Sequence, residues 1–448
     1  MSFDLLWTDK CFLVLLSLGL VIILFSLRKK PIQHSLSVIL HRPVAVSAGI
    51  VLLVFMVIGI LDSIHYKSVK NSSAHAISFL DKLLYPIGST YEKTYSAPLA
   101  LTQFVSETEW VDGRVQQIYP RLKYPPESIK TAEDKQILIK RILGKSLGFS
   151  LLFSIILYGL FAGYHWLIGA NAIFRLNATA FSVLFTVFLL LFFIMLSYWL
   201  SRYFHLFGTG QIGQDIFYFS IKSVRTGLII GLLTTLFMMP VALFLGIGAG
   251  YFGGYIDDVI QYIYTTLSSI PGVLLITASV LSLQTYIANH PEQFNTLAKS
   301  ADARLLALCF ILGVTSWTIL CRLLRAETLK LREVDYVMAA RALGSSWFTI
   351  VRKHLLPNVM HIVVITLVLD FSFLVMAEAV LSYVCVGVSP MTISWGNMIN
   401  GARLELARDP IVWWPIGAAF LLMFLLVLAI NLFADAVRDA FDPHQSNL

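Results

Sequence analysis

Two carboxylates, Asp370 and Glu378, stand inside the apolar run 359–386. An ionised group at mid-membrane costs about 2.5–3.5 kcal/mol on insertion scales, so each must face protein or water and not lipid. Both are candidates for lining a translocation path. The alternative for each is a carboxyl paired or hydrogen-bonded to stabilise helix packing. Other chemistry finds no constellation. Gly144-Lys145-Ser146 ends like a phosphate loop, but Ile139 stands where that pattern needs its first glycine, and Lys145 reads as a charge flanking the next apolar run. No H-E-x-x-H, G-x-S-x-G or D-x-D-x-D-G pattern occurs, and the 10 histidines are scattered. Cys11, Cys309, Cys321 and Cys385 lie singly, without C-x-x-C spacing, and read as packing residues. An enzyme or a metal protein is not expected, and energy for pumping would have to come from another chain.

A polar, basic and helix-prone stretch separates two apolar runs: Asp335-Tyr336-Val-Met338-Ala339-Ala340-Arg341-Ala342-Leu-Gly344, then Ser-Ser-Trp-Phe-Thr-Ile-Val-Arg-Lys-His-Leu-Leu-Pro357-Asn358. Its spacing predicts a short helix, a glycine turn and a second helix stopped at Pro357, projecting as a rigid knob. The small residues Ala339, Ala340 and Ala342 would let a partner's groove close tightly over it.

The elements that must carry these residues follow from composition. With 57% hydrophobic and 13% charged residues among 448, and a mean hydropathy of +0.77, the chain has too much apolar surface for one soluble core. The net charge of +7 does not argue for nucleic acid, because much of it flanks apolar runs, as at Arg28, Lys29, Lys30 and Arg42. A hydrocarbon layer of about 30 Å takes roughly 20 residues per helix. About nine spans fit, near 11–28, 43–62, 146–169, 178–200, 224–249, 259–284, 303–325, 359–386 and 412–434. The first follows Asp4, Asp9 and Lys10 and has no small-residue cleavage site after it, so it reads as a retained anchor.

The basic segments 326–358 and 29–42 are expected on the cytoplasmic side. Nine spans then put the amino terminus outside, the carboxy terminus inside, and 63–145 and 201–223 on the outer face. Segment 63–145 carries the turn signals Tyr85-Pro86 and Pro125-Pro126 and apolar positions from Ala76 to Leu84 suited to a short surface helix. Pro240, Gly246, Gly248, Gly250 and Pro271 mark expected bends or close helix contacts, with Gly246/Gly250 and Gly250/Gly254 as small-xxx-small pairs. The division expected is a two-span amino-terminal anchor at 1–62, an extracytoplasmic insert at 63–145, two further spans at 146–200 and a core at 201–448.

The stretch 335–358 resembles the "EAA" loop of binding-protein-dependent ABC permeases, with Met338 where that family usually has glutamate. Further blocks follow in the family's order over roughly 201–443. His205-Leu-Phe-Gly208-Thr209-Gly210-Gln-Ile-Gly213-Gln214-Asp215 resembles HPLGTDxxGRD, with Gly210 for the acid and Gln214 for the arginine. Gly250-Tyr-Phe-Gly253-Gly254-Tyr-Ile-Asp257 is similar to GYFGG-W-D. Glu378-Ala-Val-Leu-Ser382-Tyr-Val-Cys385-Val-Gly387, then Pro390 and Ser394-Trp395-Gly396, resembles E-A-x-L-S-F-L-G-x-G…P…S-W-G, with Cys385 for a glycine. Asn431-Leu-Phe-Ala434-Asp435-Ala-Val-Arg438-Asp439-Ala-Phe-Asp442-Pro443 closes the series.

The resemblance is to the "C"-type permease of the dipeptide/oligopeptide/nickel branch. It implies an all-α polytopic membrane protein with a type I ABC importer transmembrane domain, in the bacterial inner membrane. It further implies a coupling loop (Asp335, Tyr336, Ala339, Ala340, Arg341, Ala342, Gly344 and Pro357) docked on an ATPase, and an external loop of His205, Gly208, Thr209, Gly213 and Asp215. The implied partners are a homologous permease, two ABC ATPases that hold ATP and magnesium, and an extracytoplasmic substrate-binding protein. The implied activity is import of peptides or similar solutes by alternating access, with no cofactor on this chain and no nucleic acid. A stand-alone secondary transporter and a membrane enzyme remain as rival classes. The family's first helix is either 43–62 or 178–200.

Overall fold

The computed structural model describes residues 2–3, 5–28, 30–67, 77–111, 114–167, 178–294 and 296–441. Asp4, Lys29, Ala76, Asp442 and Pro443 of the motifs and flanks above lie outside the described residues. The chain begins with β1 (Ser2–Phe3), α1 (Trp7–Ser26), α2 (Lys30–His41) and α3 (Pro43–Ser63). Then come β2 (His65–Lys67), β3 (Ile77–Ser78), α4 (Phe79–Leu83), α5 (Tyr85–Gly88), β4 (Glu107–Val111) and β5 (Arg114–Ile118). Long helices follow: α6 (Ala132–Leu167), α7 (Ala178–Leu200), α8 (Ile216–Phe252), α9 (Gly254–Ser269), α10 (Gly272–Asn289) and α11 (Leu297–Arg332). The remainder is α12 (Asp335–Ala342), α13 (Trp347–Ile350), a π turn (Val351–Leu355), α14 (Leu356–Tyr383), α15 (Trp395–Ala402) and α16 (Trp414–Phe441).

Among the described residues, 9 helices are long and apolar enough to cross a membrane. One expected span needs correction. The run 259–284 is not a single helix: it breaks at Ile270-Pro271, where Ile270 is extended (φ −84°, ψ 130°), the conformation that a following proline favours. The membrane-length helix there is α10, while α9 carries Asp257, Asp258 and Gln261. Pro240, by contrast, stays inside α8. Pro357 does not stop the chain either: the helix widens into the π turn just before it and continues as α14, which gives the proline ring room where it would otherwise meet the carbonyl of residue 353.

The chain forms two compact units. The first gathers Leu36–Arg225 and Ile393–Phe433 with the initial strand. In it α3, α6 and α7 pack side by side, with Thr186 bonded to Ser47 at 2.8 Å. The short strands β1, β2 and β3 form an antiparallel sheet, and β4 and β5 a hairpin with Trp110 opposite Val115. Ser78 and Asp81 make a reciprocal capping box on α4. Asp81 then receives Lys222 Nζ at 2.7 Å and the Tyr218 hydroxyl at 2.6 Å, while Asp62 accepts from Ser78 at 2.8 Å. Burial alone would raise the Asp81 pKa, but the Lys222 charge and these bonds outweigh it and hold the carboxyl below the usual range.

The second unit gathers Leu5–Ser35, Thr226–Thr392 and the end of α16. Its core joins Met238, Trp317, Leu320, Leu324, Val359 and Val363. Helices α8 and α11 approach backbone to backbone: a Cβ on Gly250 would lie 2.6 Å from Thr328 Cβ, and one on Gly246 would lie 2.8 Å from the Cys321 carbonyl oxygen. Gly254 meets nothing, so only the first of the two expected small-residue pairs is used in packing. Asp302 on α11 accepts the N–H groups of Trp7 at 2.8 Å and Thr8 at 3.3 Å, and the Thr8 hydroxyl as well, capping α1 from a distant helix.

Helix α14 ends in a Schellman motif. Val386 N–H bonds to the Leu381 carbonyl at 2.9 Å and Cys385 N–H to that of Ser382 at 3.0 Å. Cys385, which replaces the glycine of the resembled motif, sits at φ +65° and pays the strain that glycine avoids. Cys385→Gly should therefore stabilise the protein by about 1 kcal/mol, read as a higher thermal midpoint in detergent. An unchanged or lower midpoint would refute this account of the turn.

Candidate functional site

Residues 335–357 hold the two short helices α12 and α13 joined by a turn at Gly344, φ +76°. Open space surrounds Gly344, so what the position demands is the left-handed backbone and not room. Val337, Ile350 and Leu355 are fully buried in the second unit's core and seat the loop on it. Phe252, at the end of α8, packs against Trp347 with the rings tilted and their centroids 5.7 Å apart. Asn358 donates to the Tyr336 hydroxyl at 2.9 Å, tying the start of the loop to the start of α14.

The outward face is apolar for a loop with so many basic residues. Leu343 is 86% exposed, Phe348 58% and Trp347 55%, with Tyr336, Met338, Ala339 and Ala342 also uncovered. Ala340 is half-buried and Arg341 exposed. The sequence reading picked out the alanines and missed Leu343, Trp347 and Phe348. Their signal was present as three large apolar residues flanking a glycine in a polar segment.

Beneath the loop, Gly253 at φ +66° ends α8 and turns the chain into α9. Arg325 on α11 grips Asp257 with two bonds of 2.5 and 2.7 Å, and Gln261 adds a third at 3.1 Å. Arg332 reaches the last carbonyls of α8, Gly250 at 3.5 Å and Tyr251 at 3.4 Å.

The five residues expected in an external loop, His205, Gly208, Thr209, Gly213 and Asp215, come together in the first unit. His205 Nδ1 lies 2.6 Å from Asp215 Oδ2, and its Nε2 lies 3.6 Å from Glu92 Oε1, all three side chains being about 1% exposed. Glu92 also accepts the N–H groups of Tyr124 at 2.8 Å and Lys123 at 3.1 Å. The Tyr124 ring lies 4.7 Å from the His205 ring, and its hydroxyl donates to the Ser201 carbonyl at 2.5 Å. Asp215 caps α8 through the Tyr218 N–H at 2.9 Å. Thr209 donates to the Thr94 carbonyl at 2.8 Å, and its own carbonyl accepts Trp414 Nε1 at 3.0 Å.

Gly208 (φ +72°) and Gly213 (φ +74°) press against the backbone of Ser96 and Glu92 so closely that a Cβ on either would overlap it. The turn at 210–214 is closed by backbone bonds, Gly210 N–H to the Gln214 carbonyl at 2.9 Å and Gly213 N–H to that of Gly210 at 3.0 Å. No local pattern pointed to Glu92, which comes from a loop more than a hundred residues earlier.

The two membrane carboxylates differ. Glu378 is buried and accepts the Ser382 hydroxyl at 2.8 Å. Asp370 is half-buried, and no described residue bonds to it.

Residues 242–447 match the family described as "Binding-protein-dependent transport system inner membrane component". The chain is 31% identical over 242 residues to the dipeptide transport system permease protein DppC of Lactococcus lactis subsp. cremoris, covering 54% of this chain and 64% of that protein. It is 31% identical over 241 residues to the glutathione transport system permease protein GsiD of Pectobacterium atrosepticum, covering 53% and 72%. Against the oligopeptide transport system permease protein OppC of Mycobacterium bovis it is 29% identical over 244 residues, covering 54% and 77%.

The clasp carries its own pH dependence. Burial alone would lower the His205 pKa, but the Asp215 hydrogen bond and the nearby carboxylates of Asp215 and Glu92 outweigh it and raise it to about 9. Burial alone would raise Glu92, but the adjacent His205 ring and two backbone N–H groups hold it below the usual range. A raised histidine contributes stability in full below its unfolded value of about 6.5 and loses it as pH climbs through about 9. Glu92 contributes above the ordinary carboxylate range and loses its share only as pH falls below it. The purified protein should therefore lose on the order of 3 kcal/mol between about pH 6.5 and pH 9, with a matching fall in thermal midpoint. His205→Gln should start lower and lack that slope; a parallel slope in the variant would remove His205 as its source.

Proposed function

Because the chain belongs to the family of binding-protein-dependent transport system inner membrane components, we propose that it is the permease subunit of an ATP-driven importer carrying peptides or similar small solutes into the cytoplasm. The observation that carries this reading is the loop 335–357: an exposed apolar surface, seated rigidly on buried anchors, at the junction of two membrane helices. A solvated loop would have no reason to hold Leu343, Trp347 and Phe348 outward, whereas a docking surface for a partner would. The names of the relatives support peptides as cargo.

The partners in this reading are a homologous permease, two ATPase subunits that bind ATP and magnesium, and an extracytoplasmic substrate-binding protein. This chain catalyses nothing. Asp335, Tyr336, Ala339, Ala340, Arg341, Ala342 and Gly344 form the coupling surface, and Pro357 starts the helix that receives the push. Displacement of the loop passes to α8, α11 and α14 through Val337, Ile350 and Leu355 and through the Asp257–Arg325 pair. Alternating access follows only if the partners contact this surface differently in their two states, since a partner indifferent to the two shifts nothing.

The amino terminus is assigned to the outer side and 326–358 to the cytoplasm. The Asp302 cap supports this, because it puts residues 7 and 8 at the end of α11 opposite the coupling loop. The outer loop His205, Gly208, Thr209, Gly213 and Asp215 is assigned to hold the extracytoplasmic start of α8, with the insert 63–145 as its support. The core at 201–448 carries the transport function, and 1–62 and 146–200 carry the added spans.

Affinity purification of the tagged chain from its native membranes should recover a second permease and P-loop ATPases with vanadate-sensitive turnover. A lone chain without turnover would defeat the importer reading. In that complex Gly344→Val, which forces a β-branched residue to φ +76°, should abolish transport-coupled ATPase stimulation while the chain still inserts. Normal stimulation would remove the coupling assignment.

A further inference from the structure

Resting on the importer reading, we propose that Asp370 is a specificity-determining residue: it places a fixed negative group in the passage that favours peptides with cationic side chains over acidic ones. The burial pattern of α14 carries the argument. Its exposed stripe, Leu369, Phe373, Met376 and Val380, is wholly apolar and suits lipid or an apolar neighbour. Its opposite face, Phe371, Leu374, Val375 and Glu378, is closed into the second unit. Asp370 lies on neither. It sits on the flank with Val363 and Thr366, both buried, and is itself half-buried.

The two carboxylates of this helix have different needs. Glu378 has its Ser382 bond and a dry setting. Asp370 has no bond from any described residue and no other acidic or basic residue within a full turn on its own helix. A carboxylate left so in hydrocarbon costs about 2.5–3.5 kcal/mol, which a water-lined passage would remove. A half-buried group on the flank between an exposed apolar stripe and the packed core is placed where water in a passage could reach it. Its sign then decides what passes: an ammonium or guanidinium is drawn to it and a second carboxylate repelled, more strongly than in bulk water because the walls are apolar.

The test uses the whole complex in proteoliposomes with its binding protein. Uptake of dipeptides bearing lysine, alanine or glutamate side chains is compared for wild type, Asp370→Asn and Asp370→Glu, with binding-protein affinities measured separately. In Asp370→Asn the lysine-to-glutamate uptake ratio should fall about tenfold while alanine peptides change little, and Asp370→Glu should keep the wild-type ratio. A ratio within twofold of wild type in Asp370→Asn overturns the proposal. So does failure of Asp370→Asn to assemble with the second permease, because the carboxylate would then be a packing group at that interface. Absence of peptide uptake by the wild-type complex with ATPase turnover intact would instead overturn the peptide-importer reading on which the proposal rests.

Discussion

Inside a bilayer a backbone can satisfy its polar groups only within its own helix, and every helix leaves open N–H groups at one end and open carbonyls at the other. Much of what is distinctive in this chain answers that constraint. Asp215 closes the start of α8, Gly253 and Arg332 its end, the Cys385 turn the end of α14, and Asp302 the start of α1. Of these, Asp215 also belongs to the buried cluster with His205 and Glu92, and Arg332 stands at the end of α11, where the chain enters 335–357.

The prolines illustrate what a sequence can and cannot carry. The residue type is identical at 240, 271 and 357, yet one is absorbed in mid-helix, one divides an expected span and one is accommodated by a widened turn. The spans themselves were legible because hydropathy over about 20 residues needs no tertiary information. So were the loop 335–357 and the motif from His205 to Asp215, where glycines at positive φ occupy the positions that only a turn requires.

What escaped the sequence shares one character. Glu92 against His205 and Asp302 against Thr8 are pairs whose members lie far apart along the chain and whose local surroundings are ordinary. The distinction between Asp370 and Glu378 was equally hidden. Both are acids in apolar runs, and contacts such as that of the Ser382 hydroxyl, one turn beyond Glu378, are what distinguish them in the folded helix.

The Asp302 cap has a consequence for biogenesis. The Trp7 N–H group and its acceptor are 295 residues apart. At a translation rate of roughly 5–20 residues per second, the ribosome delivers Asp302 some tens of seconds after α1 has emerged. Throughout that interval the first turn of α1 has only water, headgroups or the insertion machinery for its free N–H groups. The amino-terminal helix therefore enters the bilayer as a provisional tenant, and its final position is set only when α11 arrives beside it.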